Sequence, residues 1–419
     1  MKKQIVITGI GLISAAGEGI EALWEALLER RSLVGELDLG QGPEAERLIG
    51  AHFGGFDAEK YVTQRKSLKV MARDIQMAVG AASLAVGDSG LNLTRVDHQR
   101  IGVIAGSGIL NQELDELAPA MRESVDAAGR LDLHKFGSAG ISALFPLWLL
   151  KYLPNMSACH ISILFDLQGI NNSLTTGASC GLQAIGEAFR VIERGDADCM
   201  LAGGAESRTT PGGLSRYQIL KQLVRFSPQE DPGKAYRPFD AAHPGFAVGE
   251  GAVFLMLEEL GHAKARGARI YARVGAFGSS YHEGQVPAMS QALREAGATA
   301  SDIRLICGCG LGTAADDAKE LAALEKIFGQ EGERSTNICF SKPVIGFTGY
   351  ASGAIEAALA AISLKRQTVP PSVNAEAFVC KNLETVAELR AGVAIERTMA
   401  NAFGLGGQSA SLILNRWDG

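Results

Sequence analysis

The sequence predicts an α/β fold assembled from two similar halves, and three observations carry that expectation. Glycine is abundant, 51 residues in a chain of 419, while aromatic residues make up only 6%; tight strand-to-helix turns favour glycine in this way. An extended apolar segment leads into the turn Thr175-Thr176-Gly177-Ala178-Ser179-Cys180-Gly181 and straight on into a helix. Glycine-rich strand–turn units then recur late, at Leu305 to Thr313 and at Asn401 to Gly407. A chain of this length holds two core-bearing units, a first over 1–255 and a second over 256–419.

The elements follow from periodicity. Residues 4–9 read as a strand, and Glu18 to Arg31 as an amphipathic helix with Ile20, Leu23, Trp24, Leu27 and Leu28 on one face. A basic turn, Arg65 to Arg73, opens a long helix through Val86. Ile101 to Gly108 is a buried strand ending in small residues. A poorly patterned region, Leu110 to Ser138, gives way to the bulky apolar run Leu144-Phe145-Pro146-Leu147-Trp148-Leu149-Leu150. The first half closes with a strand, Gly251 to Glu258; in the second, a helix from Asp317 to Phe328 and a last strand from Ser409 to Leu414 complete the pattern.

Composition removes several function classes. A net charge of −6 gives no reason to expect nucleic-acid binding. Seven cysteines without regular spacing read as reduced thiols in a cytoplasmic protein, and no metal site is expected. No stretch approaches the ~18 apolar residues that a membrane helix needs. The amino-terminal run Lys2 to Gly9 is broken by Gly9 and Gly11, so a first strand is expected there, not a signal peptide. Gly9-x-Gly11-x-x-Ser14 is only a partial dinucleotide fingerprint, without a convincing acidic residue on a second strand.

Several motifs together resemble the β-ketoacyl-[acyl-carrier-protein] synthases of the decarboxylating, second class. They are Val6-Ile7-Thr8-Gly9-Ile10-Gly11, Gly106-Ser107-Gly108-Ile109, Gly195 to Glu206, Arg237-Pro238-Phe239-Asp240, Gly245 to Gly251, and Asn401 to Gly407. The resemblance spans essentially the whole chain. It implies a thiolase fold, with two βαβαβαββ halves in five layers (α-β-α-β-α), and an obligate dimer.

Active members use a Cys-His-His triad, and the register decides its fate here. The family's Thr-Ala-Cys-x-Ser-Gly pattern, pinned at Gly181 and Ile185-Gly186, puts the nucleophile position on Ala178 and leaves Cys180 two residues beyond it. The first histidine position falls on Cys309, in Gly308-Cys309-Gly310-Leu311-Gly312-Thr313. The pattern Lys-x-x-x-Gly-His-x-x-Gly-Ala-x-Gly places the second on Phe347, and only its lysine, Lys342, is kept. A methyl group cannot form an acyl thioester. Two imidazole N–H donors to the malonyl enolate are missing, and losing even one such donor costs roughly 100- to 1000-fold. None of the seven histidines, at 52, 98, 134, 160, 243, 262 and 282, stands at these positions. The family's gating phenylalanine is Leu405, and one pantetheine-binding threonine is Leu311, whereas Thr313 survives.

The resemblance therefore points to the chain-length factor of type II polyketide or polyene systems, paired as a heterodimer with an active ketosynthase and served by an acyl carrier protein. It implies no cofactor of the chain's own, since phosphopantetheine arrives with the carrier protein's substrate. It implies acyl-tunnel or chain-length residues at Ile109, Leu147, Trp148, Leu149 and Leu405, with Trp148 as the plug; ordinary core or interface packing is the competing account of Trp148. Asn171 to Ser179 resembles the family's interface strand. The basic residues Arg65, Lys66, Lys69 and Arg73 form a carrier-protein docking surface or a solvated helix end. Two rival functions are an acyltransferase using Cys180 and a homodimeric acyl-binding protein.

Overall fold

The computed structural model describes residues 2–39, 47–109, 113–227, 229–242, 244–281, 284–329 and 336–419. His243 and His282 lie outside the described residues, as does Leu110, where the poorly patterned region begins.

Among the described residues, five principal strands build the first half: β1 (Ile5–Ser14), β2 (Ile101–Gly106), β3 (Asn171–Leu174), β4 (Cys199–Ser207) and β5 (Val248–Glu259). Five build the second: β6 (Ala272–Tyr281), β7 (Leu305–Cys307), β8 (Thr336–Cys339), β9 (Arg397–Phe403) and β10 (Gln408–Asn415). Their order is β3-β2-β4-β5-β1 and β8-β7-β9-β10-β6, so third, second, fourth, fifth and first strand lie side by side in both. The first three strands of each half connect through helices, and the sheet pairs match in direction as well. β2 is parallel to β3 and β4, and β7 to β8 and β9. The fifth strand of each half runs antiparallel to its neighbours. The sheets join where β1 meets β6, at Val6 opposite Arg273 and Ile7 opposite Ala272.

Among the helices of the described residues, six matter for the layers: α1 (Arg73–Ser89), α2 (Met156–Phe165), α3 (Cys180–Arg194), α4 (Val286–Ala296), α5 (Ala314–Phe328) and α6 (Ser352–Arg366). Helices α3 and α6 pack on each other and touch strands of both halves. They form the central layer, and α6 is accordingly buried all round from Ser352 to Leu364. Helices α1 and α4 cover the outer faces. The glycines of the partial dinucleotide fingerprint serve this packing: a Cβ at Gly11 would overlap the backbone of Ala81 in α1. Expected and observed bounds differ locally. The long helix starts at Arg73, after a short 3₁₀ turn over Arg65–Val70, because the Met71 and Ala72 backbone is extended there. Helix α5 begins three residues before Asp317, where the Thr313 side chain caps it by accepting from Asp316 N–H. A boundary at 255 would cut β5, which is buried and paired through Glu258; the halves meet between Glu259 and Ala272.

Candidate functional site

The strand-to-helix turns after β3 and β8 and the loops after β7 and β9 converge on one apolar cluster. Cys309, Leu311, Phe347, Phe403, Phe246, Tyr217 and Tyr236 are buried there, with Ala178 packed against them. The three positions expected to have lost the triad are thus brought together, on loops from both halves.

Each is held firmly. Ala178 lies in a single 3₁₀ turn, Gly177–Ser179, ahead of α3. Phe347 donates its N–H to Ala247 and accepts from Gly249, each at 2.8 Å. Its ring meets Phe246 edge-to-face, centroids 4.8 Å apart, with Tyr217 at 6.4 Å. Cys309 donates its N–H to Glu320 Oε1 and Gly310 donates to Oε2, both at 2.7 Å. Gly312 donates to Asp317 Oδ1 at 2.8 Å, and Phe239 to Oδ2 at 2.6 Å. Two buried carboxylates therefore brace the loop that carries Cys309. Burial pushes them up, Glu320 to about 7 and Asp317 to about 6.

The chemistry left is not that of a nucleophile. Burial pushes the Cys309 thiol up to about 12, even with Lys342 acting in the opposite sense. Lys342, fully enclosed, reaches Glu356 Oε1 at 3.3 Å, and Ser341 donates to the same oxygen at 2.5 Å. Burial pulls the Lys342 ammonium down, but its acidic neighbours, Cys309 first and then Glu356 and Glu320, outweigh it and the net shift is upward. The lysine therefore stays charged, paired with Glu356. Cys180 is the first residue of α3 and completely enclosed, its Sγ 3.7 Å from Ser107 O and 3.8 Å from Tyr350 O. Burial, and then Glu206, push its thiol well above the usual range. A thiolate does not form readily there.

A cavity of about 500 Å³ opens beside Cys309, lined by Leu311, Glu320, Phe403 and the turn Gly404 to Gly407, including Leu405. Elsewhere, Cys199, Glu258 and His262 group their ligand atoms within 4.8 Å of one another. There Arg266 binds Glu258 through both oxygens at 2.7 Å, and His262 Nδ1 lies only 2.5 Å from Oε1. This is a satisfied ion-pair network, and a cation would displace the guanidinium.

Residues 2–263 match the beta-ketoacyl synthase N-terminal domain, and residues 272–376 match its C-terminal domain. The chain belongs to the beta-ketoacyl synthase family. It is 35% identical over 430 residues to 3-oxoacyl-[acyl-carrier-protein] synthase 2 of Vibrio cholerae, covering 99% of each chain. A solved beta-ketoacyl synthase from Burkholderia phymatum superposes with a TM-score of 0.85 at 29% identity, covering 99% of this chain and 100% of that one. The ishigamide ketosynthase/chain length factor superposes with a TM-score of 0.83 at 23% identity over the whole of both chains. The fold is the thiolase fold.

Within this family member, the remaining expected residues divide by location. Leu405 lines the cavity beside Cys309. Ile109 follows β2 and is exposed, as are Leu147 and Leu149. Trp148, expected as the plug, turns back onto its own subunit: its ring lies 5.3 Å from Tyr152, and its indole N–H is buried without a partner. The side chains that project outward from this run are Phe145, Leu147, Leu149 and Leu150. Arg65, Lys66 and Lys69 are exposed. Arg73 is not available for docking: it binds Glu250 through Nε at 2.8 Å and Nη2 at 2.7 Å, and donates to Phe53 O. Its guanidinium neutralises a fully buried carboxylate instead.

One group was missed. Tyr350 stands where the family pattern carries glycine after the second histidine position, and this departure was visible in the sequence. Its backbone N–H donates to Glu206 Oε2 at 2.6 Å, and Glu206 is ion-paired with Arg208 beneath it.

Proposed function

We propose that this chain is a non-catalytic chain-length factor, pairing with an active ketosynthase and shaping the acyl tunnel during carrier-protein-bound chain elongation. The observation that carries this reading is Phe347, packed edge-to-face on Phe246 where the reaction needs an imidazole. Ala178 and the high-pKa Cys309 thiol supply neither a nucleophile nor a useful donor in its place. A surface to pair with supports it too. Among the described residues, eleven of the eighteen exposed large apolar side chains lie between Ile109 and Ile163. A soluble chain does not leave such a stretch uncovered in water. Among the described residues, the adjoining strand β3 pairs only with β2, which leaves its other edge open to a partner strand. The relatives' name, with its acyl-carrier-protein substrate, favours the carrier protein as the second partner.

The test is co-expression with the ketosynthase encoded beside this chain and purification through a tag on this chain alone. The expected result is a 1:1 complex with an interface above ~2,000 Å², which elongates malonyl-loaded carrier protein and stays active with Cys180→Ala. A homodimer that takes up acyl groups covalently would instead establish an enzyme.

A further inference from the structure

Ile109 is an exposed residue with an unusually constrained main chain. Its side chain is 65% exposed. Its N–H donates to the Tyr350 hydroxyl at 3.2 Å, and its carbonyl accepts from Arg208 Nη2 at 3.0 Å. Arg208 also donates to the Tyr350 hydroxyl at 3.2 Å. Beneath them, Glu206 binds Arg208 Nε through one oxygen and the Tyr350 N–H through the other. Glu206 and Arg208 are buried. The Tyr350 ring rests against Gly108, where any Cβ would overlap it.

A buried ion pair of this kind adds little stability over apolar packing of the same volume. What it supplies here is geometry: both peptide groups flanking one outward-facing side chain are tied to charged or phenolic groups that cannot shift independently. We propose that Tyr350 and Arg208 are positioning residues for chain length, fixing Ile109 as a rigid wall of the shared acyl tunnel and filling the space behind it within this subunit. The inference rests on the chain-length-factor reading. Under it, the growing chain stops against Ile109 because the space behind that residue is already occupied by the Tyr350 ring.

The test uses the complex with the active ketosynthase, malonyl-loaded carrier protein as the probe, and Tyr350→Phe, which keeps the ring and removes only the hydroxyl. Two readouts are taken: amide hydrogen exchange at Ile109 and the distribution of product lengths. Losing one hydrogen bond to this amide is expected to speed its exchange about tenfold, and the product distribution is expected to broaden toward longer chains. Arg208→Met, which empties the other side of the clamp, is expected to broaden it further. Unchanged exchange at Ile109 would overturn the clamp whatever the products. Faster exchange with unchanged products, while Leu149→Ala does alter them, would overturn the proposal and leave the chain-length reading standing. If neither these variants nor Leu149→Ala and Trp148→Ala change the products, that reading fails and this proposal falls with it.

Discussion

Phe347 and Phe246 stack edge-to-face, ring centroids 4.8 Å apart and planes at 62°, at the point where both halves' loops meet. The pair makes core of the position that the family resemblance assigns to a histidine. Phe347→Ala is expected to cost ~3–5 kcal/mol, while Phe347→His keeps a planar ring of somewhat smaller size but buries its ring nitrogens in an apolar cluster, costing ~1–3 kcal/mol. Denaturant midpoints of the two variants check this. A histidine variant as stable as the parent would mean that the site still accommodates an imidazole, contrary to the packed-core account.

The thiols make a second prediction. Of the seven cysteines, only Cys159 is not buried, and Cys180 sits behind Ser107 and Tyr350 with its thiol pushed well up. Under native conditions a small thiol reagent at pH 8 is therefore expected to modify Cys159 first, with Cys180 reacting only on unfolding. Mass mapping of the labelled peptides distinguishes them. Fast native labelling of Cys180 would revive the acyltransferase reading.

The glycine turns and the 2.0 and 3.6 periodicities made the duplicated fold legible, because those features are local. The meeting of Ala178, Cys309 and Phe347 in one cluster was legible for a related reason: Gly181, shortly after Ala178, and Gly346, just before Phe347, anchor the register. What the chain order concealed were pairings between distant residues. Arg73 reads as one more base in a basic run, and nothing nearby in the sequence shows that Glu250, 177 residues away, claims its guanidinium. The same holds for Arg208 and Tyr350, 142 residues apart. Their meeting depends on the central helices closing against each other. Trp148 lies in an apolar run without period, so no pattern could tell which side chain turns inward.

A third prediction concerns pH. Asp74 is 3% exposed; burial, with Glu206 adding to it, pushes its carboxyl from 3.8 up to about 7, against the Ile75 N–H and Arg208. A carboxyl raised on folding favours the native state while protonated, so its contribution is complete below the unfolded value and is lost as pH climbs through about 7. Asp74→Asn cannot ionise and escapes that loss. Relative to the parent, the variant is expected to gain stability progressively between pH 4 and pH 8, by at most ~4 kcal/mol at three pKa units. Unfolding free energies at pH 5 and pH 8 decide it; a gain confined to low pH would contradict the assignment.

The basic residues before α1 separate docking from folding. Lys66 and Lys69 are exposed, and Arg65 reaches only the partly exposed Glu59, at 2.7 Å. Replacing all three with glutamate is expected to leave the unfolding midpoint nearly unchanged. It should also weaken carrier-protein binding by the complex, and flatten its dependence on salt concentration. Arg73→Ala should behave in the opposite way. It strips the buried Glu250 of its bidentate partner, leaving Ser207 Oγ at 2.7 Å, Thr209 Oγ1 at 3.2 Å, the Phe53 N–H at 2.8 Å and His52 Nδ1 at 3.0 Å around the carboxylate. Breaking a buried pair from one side costs ~3–5 kcal/mol, so this variant should lose stability first and carrier binding only as a consequence. Titrating carrier protein against each variant, alongside its denaturation curve, separates the two effects. Normal stability with lost binding in Arg73→Ala would return that arginine to the docking surface.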